Sequence, residues 1–203
     1  MRKLLEPYRN YSDAFIDDVS VFSQEWHLHL KHLNNVFQAF SDAKMTLRLS
    51  KCMFAKPEIN FIGHKIGDGK RSPILNKVET IKAIPIPHTK TLLKKFLGMI
   101  GFYRPYIEKF ADIAHPLTEL LKKDQPNVLR FEGKHSLAFQ TLKDRLFAMT
   151  ELYKPDFTNP FILHTDASKH STSACLSQLD KDNNELSYRR NSIILKGVYR
   201  QLN

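Results

Sequence analysis

Two adjacent aspartates stand inside an apolar, β-forming run, Ala14-Phe15-Ile16-Asp17-Asp18-Val19-Ser20-Val21-Phe22. Carboxylates are costly to bury among such residues unless a cation or strong donors compensate. Neighbouring side chains of a straight strand point to opposite faces, so only a turn brings both towards one ion. The run therefore reads as a β-hairpin over 14–22 with Asp17-Asp18 at or near its turn. A second acid, Asp166, follows another apolar strand, Phe161-Ile162-Leu163, in the run Thr165-Asp166-Ala167-Ser168. Both suit magnesium, which takes oxygen ligands and combines one or two protein carboxylates with waters and substrate phosphates.

Helical spacing follows the first run. Trp26, Leu30, Leu33, Phe37 and Phe40 recur at four and three, predicting one apolar stripe over 25–44 with Ser23 as its cap. Met45–Ala55 and Glu58–Ile66 read as strands. A short helix from Asn76 ends at Pro85, and Thr89 caps a longer one with Leu92, Leu93, Phe96, Leu97 and Ile100 inward. Helical stretches follow over 107–121 and 134–148, the latter facing inward through Leu137, Phe139, Leu142, Leu146 and Phe147. Strands return at 161–166, 172–179 and 185–190, with a turn over Asp180–Asn184 and an untied tail over 187–203. His27, His29 and His32 suggest a metal cluster, but only His29 and His32 share a helix face and no third ligand is apparent. Solvated histidines are the simpler reading.

Lys and Arg number 31 against 21 acids, a net charge of +10, which favours a polyanion such as nucleic acid. Cys52 and Cys175 form no CxxC or disulfide framework, which fits a reducing compartment. No secretory signal and no membrane span are expected. Localisation is therefore expected to be intracellular, cytoplasmic or nuclear. Lys90, Lys94, Lys95, Arg104 and Lys109 either line a nucleic-acid groove or form a solvated face. The interleaved Phe102, Tyr103 and Tyr106 tilt the balance towards binding.

The ordered series of motifs goes further. Phe15-Ile16-Asp17-Asp18-Val19, Leu47-x-Leu49-x-Lys51-Cys52 and Phe61-Ile62-Gly63-His64-Lys65-Ile66-Gly67 come first. Phe96-Leu97-Gly98, Phe102-Tyr103-Arg104, Pro116-Leu117-Thr118-Glu119-Leu120-Leu121, Pro160-Phe161-Ile162-Leu163 and Thr165-Asp166-Ala167-Ser168 follow. Together they resemble the reverse transcriptase and ribonuclease H region of gypsy-type long-terminal-repeat retroelement Pol polyproteins over about residues 11–180.

The resemblance implies an α+β chain. Residues 1–70 would be the C-terminal part of a polymerase palm, 71–127 a helical thumb or connection, and 128–203 the first strands of a ribonuclease H-like domain. Asp17 and Asp18 match the palm pair that holds catalytic Mg2+, and Asp166 matches the first ribonuclease H carboxylate. Phe15 stands where the family usually has Tyr. Phe61, Ile62, Gly63 and His64 match the hairpin that grips the primer end, and Lys51 a basic palm position. Lys94, Lys95 and Arg104 join Phe15 and these as expected contacts to nucleic acid, an RNA/DNA hybrid or primer–template.

The family carries a third palm carboxylate upstream of its pair. Among the 16 residues before Asp17 the acids are Glu6 and Asp13, neither in that motif. After Asp166 come only Asp180, Asp182 and Glu185, in the expected turn. The expectation is thus a polymerase fragment without turnover of its own, working with the remainder of a Pol polyprotein. The alternatives are a non-catalytic nucleic-acid-binding module and a decayed retroelement product.

Overall fold

A computed structural model describes residues 1–148, 151–168 and 171–194. The chain folds as two compact units, one ending at Gly63 and one beginning at His64. The sequence reading divides it instead at residues 70 and 127.

The first unit opens with a short helix α1 (Arg2–Leu5) and the antiparallel hairpin β1 (Ser12–Phe15) and β2 (Asp18–Val21). Helix α2 (Trp26–Asp42) and strand β3 (Glu58–Phe61) follow. Leu5, Ala14, Val36 and Phe40 form its buried core. The stripe expected on α2 is displaced. Val36, Ala39 and Phe40 are buried, while Trp26 is 61% and Leu30 51% exposed. The hairpin meets the helix near Val36, so the apolar residues on the preceding turns have nothing to pack on within this unit. Ser23 does not cap α2; Glu25 stands at the N-cap position without a side-chain bond. Met45–Ala55 is not a strand. It holds one 3-10 turn, Leu49–Lys51, between left-handed residues Lys44 and Ala55. Alternating Leu47 and Leu49 stay exposed, for lack of a sheet to pair with.

The second unit begins with β4 (His64–Gly67) and β5 (Lys70–Pro73), then α3 (Leu75–Lys82), α4 (Lys90–Phe102), α5 (Phe110–Glu119) and α6 (Gly133–Phe147). Strand β6 (Leu152–Tyr153) pairs with β5, and β7 (Ile162–Ala167), β8 (Ser171–Leu179) and β9 (Glu185–Ile194) form an antiparallel sheet in that order. Thr89 caps α4, its hydroxyl accepting from the Leu92 amide at 3.3 Å. Leu93, Phe96 and Ile100 then face Leu117, Phe139, Leu142 and Leu146 in one core. On α6 the inward face is narrower than expected: Leu142 is fully buried, whereas Leu137 is 69% exposed and Phe147 lies outside. Glu132 and His135 close that helix's first turn reciprocally, the Glu132 amide donating to His135 Nδ1 at 3.0 Å.

Strand β9 corrects the expectation of an untied tail from 187. It runs to Ile194, and residues 195–203 lie outside the described ones. Its anchor is Ser192. The Ser192 hydroxyl accepts from the Ala111 amide at 3.0 Å, and its carbonyl accepts from the Arg104 guanidinium. Helix α5 has no side-chain cap of its own, so a residue 81 positions away satisfies one of its open amides.

His64 is enclosed by Phe102, Tyr103 and Tyr106, stacking on Phe102 at 5.0 Å between ring centres. Burial, helped by the Arg71 charge, lowers its pKa to about 4. Two outcomes follow from this packing. Leu142→Ala should cost about 2–5 kcal/mol in urea unfolding, and Leu137→Ala within about 0.5 kcal/mol; equal losses would contradict the assigned face. The folded His64 stays neutral while the unfolded chain takes up the proton, so its contribution is complete above about pH 6.5 and is lost as pH falls towards about 4. The fall in unfolding midpoint between pH 7 and pH 5 should therefore be shallower in His64→Gln than in the unsubstituted chain.

Candidate active site and nucleic-acid interface

Phe15 pairs with Asp18, leaving Ile16 and Asp17 as a two-residue hairpin turn. Ile16 has φ 54° and is 74% exposed. A β-branched residue in the left-handed region is strained by about 1–3 kcal/mol, and turns of this kind ordinarily use glycine at the first position. No packing around the Ile16 side chain offsets that cost. The turn puts Asp17 at the tip and Asp18 at the first residue of β2, both exposed. Neither carboxylate is engaged by another group among the described residues. Two adjacent, unengaged carboxylates fit a hard divalent cation that completes its shell with water and phosphate oxygens. No cluster of three or more His, Cys, Asp or Glu able to hold a metal occurs among the described residues.

Asp166 is placed differently. Lys109 Nζ lies 2.8 Å from its carboxylate, holding it below the usual carboxylate range, and the lysine is pushed up in turn. Lys109 precedes α5 in a left-handed conformation, φ 52°. One turn later Asp112 accepts from the Ser168 hydroxyl at 2.5 Å, a second tie between α5 and the end of β7. The later acids do not gather at Asp166. Asp180 accepts from the amides of Asp182 and Asn184, each at 2.8 Å, and shapes the turn. Glu185 accepts from Ser177 at 2.5 Å and pairs with His164 at 2.8 Å. In register, Asp166 faces Ser173 and Glu185 faces Leu179. The Glu185 carboxylate reaches back along the sheet only as far as Ser177 and His164, where it is already engaged.

Phe61 ends β3, and Ile62 and Gly63 follow with φ 47° and 71°. His64 begins β4 inside the aromatic cage. Its Nδ1 lies 3.0 Å from the Tyr106 hydroxyl, and the Arg71 guanidinium lies 5.7 Å over the Tyr106 ring. Burial pushes the Tyr106 phenol up to about 12. Lys51 is exposed at the end of its 3-10 turn, and Lys94 and Lys95 are exposed on α4. Arg104 is half-buried, bonded to Ser192 and stacked 5.6 Å over Phe110. Lys90 donates to the carbonyls of Lys122 and Gln125 at 2.5 and 2.6 Å, tying down the linker. His29 and His32 both turn a ring nitrogen to the Ser23 hydroxyl, at 3.2 and 2.7 Å, and His32 stacks on Tyr11. The pairing of His64 with Tyr106, and of Asp166 with Lys109, carried no local sequence signal.

A family model described as reverse transcriptase (RNA-dependent DNA polymerase) matches residues 1–66, and one described as an RNase H-like domain found in reverse transcriptase matches 131–192. The chain is 37% identical over 179 residues to the retrovirus-related Pol polyprotein from transposon 297 of Drosophila melanogaster, covering 88% of this chain and 17% of the relative. The Pol polyprotein from transposon gypsy of the same organism is 34% identical, with 81% and 17% covered. The chain thus spans about a sixth of the length of these relatives. Among solved structures it resembles the foamy viral protease-reverse transcriptase dRH in complex with ds DNA, with TM-score 0.80 and 22% identity, covering 95% of this chain and 33% of that one. The foamy viral protease-reverse transcriptase in complex with RNA/DNA hybrid gives TM-score 0.78 and 22% identity, covering 96% and 26%. These solved structures share the fold, an α+β arrangement of reverse transcriptase type. From the motifs, the relatives and the fold together, the chain belongs to the reverse transcriptase and RNase H-like region of retrovirus-related, gypsy-type Pol polyproteins.

Proposed function

We propose that this chain engages an RNA/DNA hybrid or primer–template duplex as part of a longer Pol polyprotein, and that it supplies the paired palm carboxylates of a polymerase site. The observation that carries the reading is the strained hairpin turn that presents Asp17 and Asp18 with both carboxylates unengaged. Residues 1–70 act as palm, 71–127 as thumb or connection, and 128–203 as an RNase H-like segment. Asp17 and Asp18 would hold Mg2+, whose chemistry is to sharpen an attacking hydroxyl and neutralise charge on phosphate. Phe15, Lys51, Phe61, Ile62, Gly63 and His64 contact the strand, with Lys94 and Lys95 on the phosphates. Arg104 supports this surface by holding β9. The free thiols Cys52 and Cys175 suit a reducing compartment, cytoplasm or nucleus. No helix among the described residues is long and apolar enough to cross a membrane.

A second reading, binding without turnover, is favoured by the Lys109–Asp166 pair. A resident ammonium sits where the RNase H-like carboxylate would meet its ion. In this reading the two palm carboxylates need others from the rest of the polyprotein, since metal-site members act as a unit.

Fluorescence anisotropy with a labelled RNA/DNA hybrid over a salt series tests the binding. The affinity should fall with salt, and the Lys94→Ala/Lys95→Ala variant should bind more weakly on every sequence, with a slope in log[salt] shallower by about 2. An unchanged slope would remove these lysines from the interface. Primer extension with Mg2+ tests turnover. The purified chain should incorporate no more than its Asp17→Asn variant; incorporation above that control would show that the two carboxylates suffice.

A further inference from the structure

We infer that Tyr106 fixes His64 as a neutral imidazole protonated on Nε2, and that this N–H is a donor to a phosphodiester oxygen of the bound strand. The second half rests on the nucleic-acid reading above; the first stands on the free protein.

The Tyr106 side chain is 2% exposed, so its hydroxyl proton must find an acceptor inside the protein. The Arg71 guanidinium lies over the Tyr106 ring, 5.7 Å from its centre, and carries only donors. His64 Nδ1, 3.0 Å away, is the acceptor within reach. An imidazole that accepts at Nδ1 and is neutral carries its proton on Nε2. The groups that face the ring are Phe102 and Tyr103 from the end of α4, Tyr106 from the turn after it, and Arg71 from β5. None is an acid, and Arg71 opposes a second positive charge. Stacking on Phe102 at an interplanar angle of 15° fixes the ring plane. Nε2 makes no hydrogen bond among the described residues and is not sealed from water. The tyrosine remains protonated across the working pH range because burial pushes its pKa up to about 12.

The consequence concerns binding. A solvated histidine gains charge below about pH 6.5, so a phosphate contact made by one would strengthen as pH falls. A donor held neutral keeps the same strength. Tyr106 is thus a positioning residue: it touches the imidazole, and the imidazole touches the strand.

Long-range 1H–15N spectra of the full chain, labelled at histidine, read the tautomer directly. The expected spectrum at pH 7 has His64 Nδ1 in the unprotonated range and Nε2 in the protonated range, with Tyr106→Phe shifting both towards averaged values. A wild-type His64 protonated on Nδ1, or averaged between tautomers, would overturn the inference. Adding RNA/DNA hybrid should shift Nε2; hybrid binding that leaves Nε2 unmoved would overturn the phosphate assignment. In anisotropy, His64→Phe should weaken binding about fivefold, the loss of one hydrogen bond, and His64→Gln should retain more because its amide can donate. Because burial and Arg71 keep the imidazole neutral, the change in affinity between pH 8 and pH 5.5 should be the same in His64→Gln as in wild type; a tightening at pH 5.5 that His64→Gln abolishes would overturn the neutral donor. If the wild-type chain binds no hybrid at all, the proposed function and the phosphate fail together, while the free-protein spectrum still decides the tautomer.

Discussion

The second unit depends on one buried phenol. Tyr106 sits in a 3-10 turn between α4 and α5. Its ring belongs to the main apolar core and meets the Arg71 guanidinium of β5, its hydroxyl reaches β4 through His64, and its carbonyl accepts from Arg190 on β9 at 3.3 Å. Two sheets and the helical layer thus meet at one residue. A buried tyrosine is favourable only when its hydroxyl is satisfied, so the same burial that stabilises the core compels the polar contacts around it. His64 is one of those contacts, reached from β4.

The two acidic sites differ for a related reason. At Asp17-Asp18 the backbone is under strain and the carboxylates are left open. At Asp166 the backbone is regular strand and the carboxylate is answered by Lys109. Strain kept at an exposed turn is hard to explain by stability, and points to use. A paired carboxylate is explained by local electrostatics alone: it joins α5 to β7 whether or not an ion ever binds. The metal reading is accordingly stronger for the first site than for the second.

The sequence was most readable where local chemistry decides structure. Thr89 before a clean i, i+3, i+4 series made α4 legible, and the aspartate pair in a β-forming run marked its hairpin. Misreadings came where a partner was needed. Leu47 and Leu49 alternate like a strand but have no ladder to join. Trp26 and Leu30 lie on the expected stripe of α2, yet nothing within their unit covers them. Residues 187–194 looked untied because their anchors, Arg104 and Ala111, are more than 80 positions distant. The motif order revealed the family even so, because motif matching needs no packing. What each residue touches within the chain was not legible: Arg104, expected against nucleic acid, bonds the Ser192 carbonyl, and Lys109, readable as groove or solvated face, pairs with Asp166.

The anchoring of β9 has an evolutionary corollary. In a strand, side chains alternate with period two, and β9 already takes up one extra residue, Tyr188, against β8, so a further residue inserted between Tyr188 and Arg190 would exchange the two faces beyond it. Ser192 would leave the open amide of α5, and Arg190 would leave the Tyr106 carbonyl. Point substitutions along β9 can be absorbed one at a time, whereas a single-residue length change would undo both ties at once. Copies of this element drifting without selection should therefore lose the docking of β9 through small indels sooner than through substitutions.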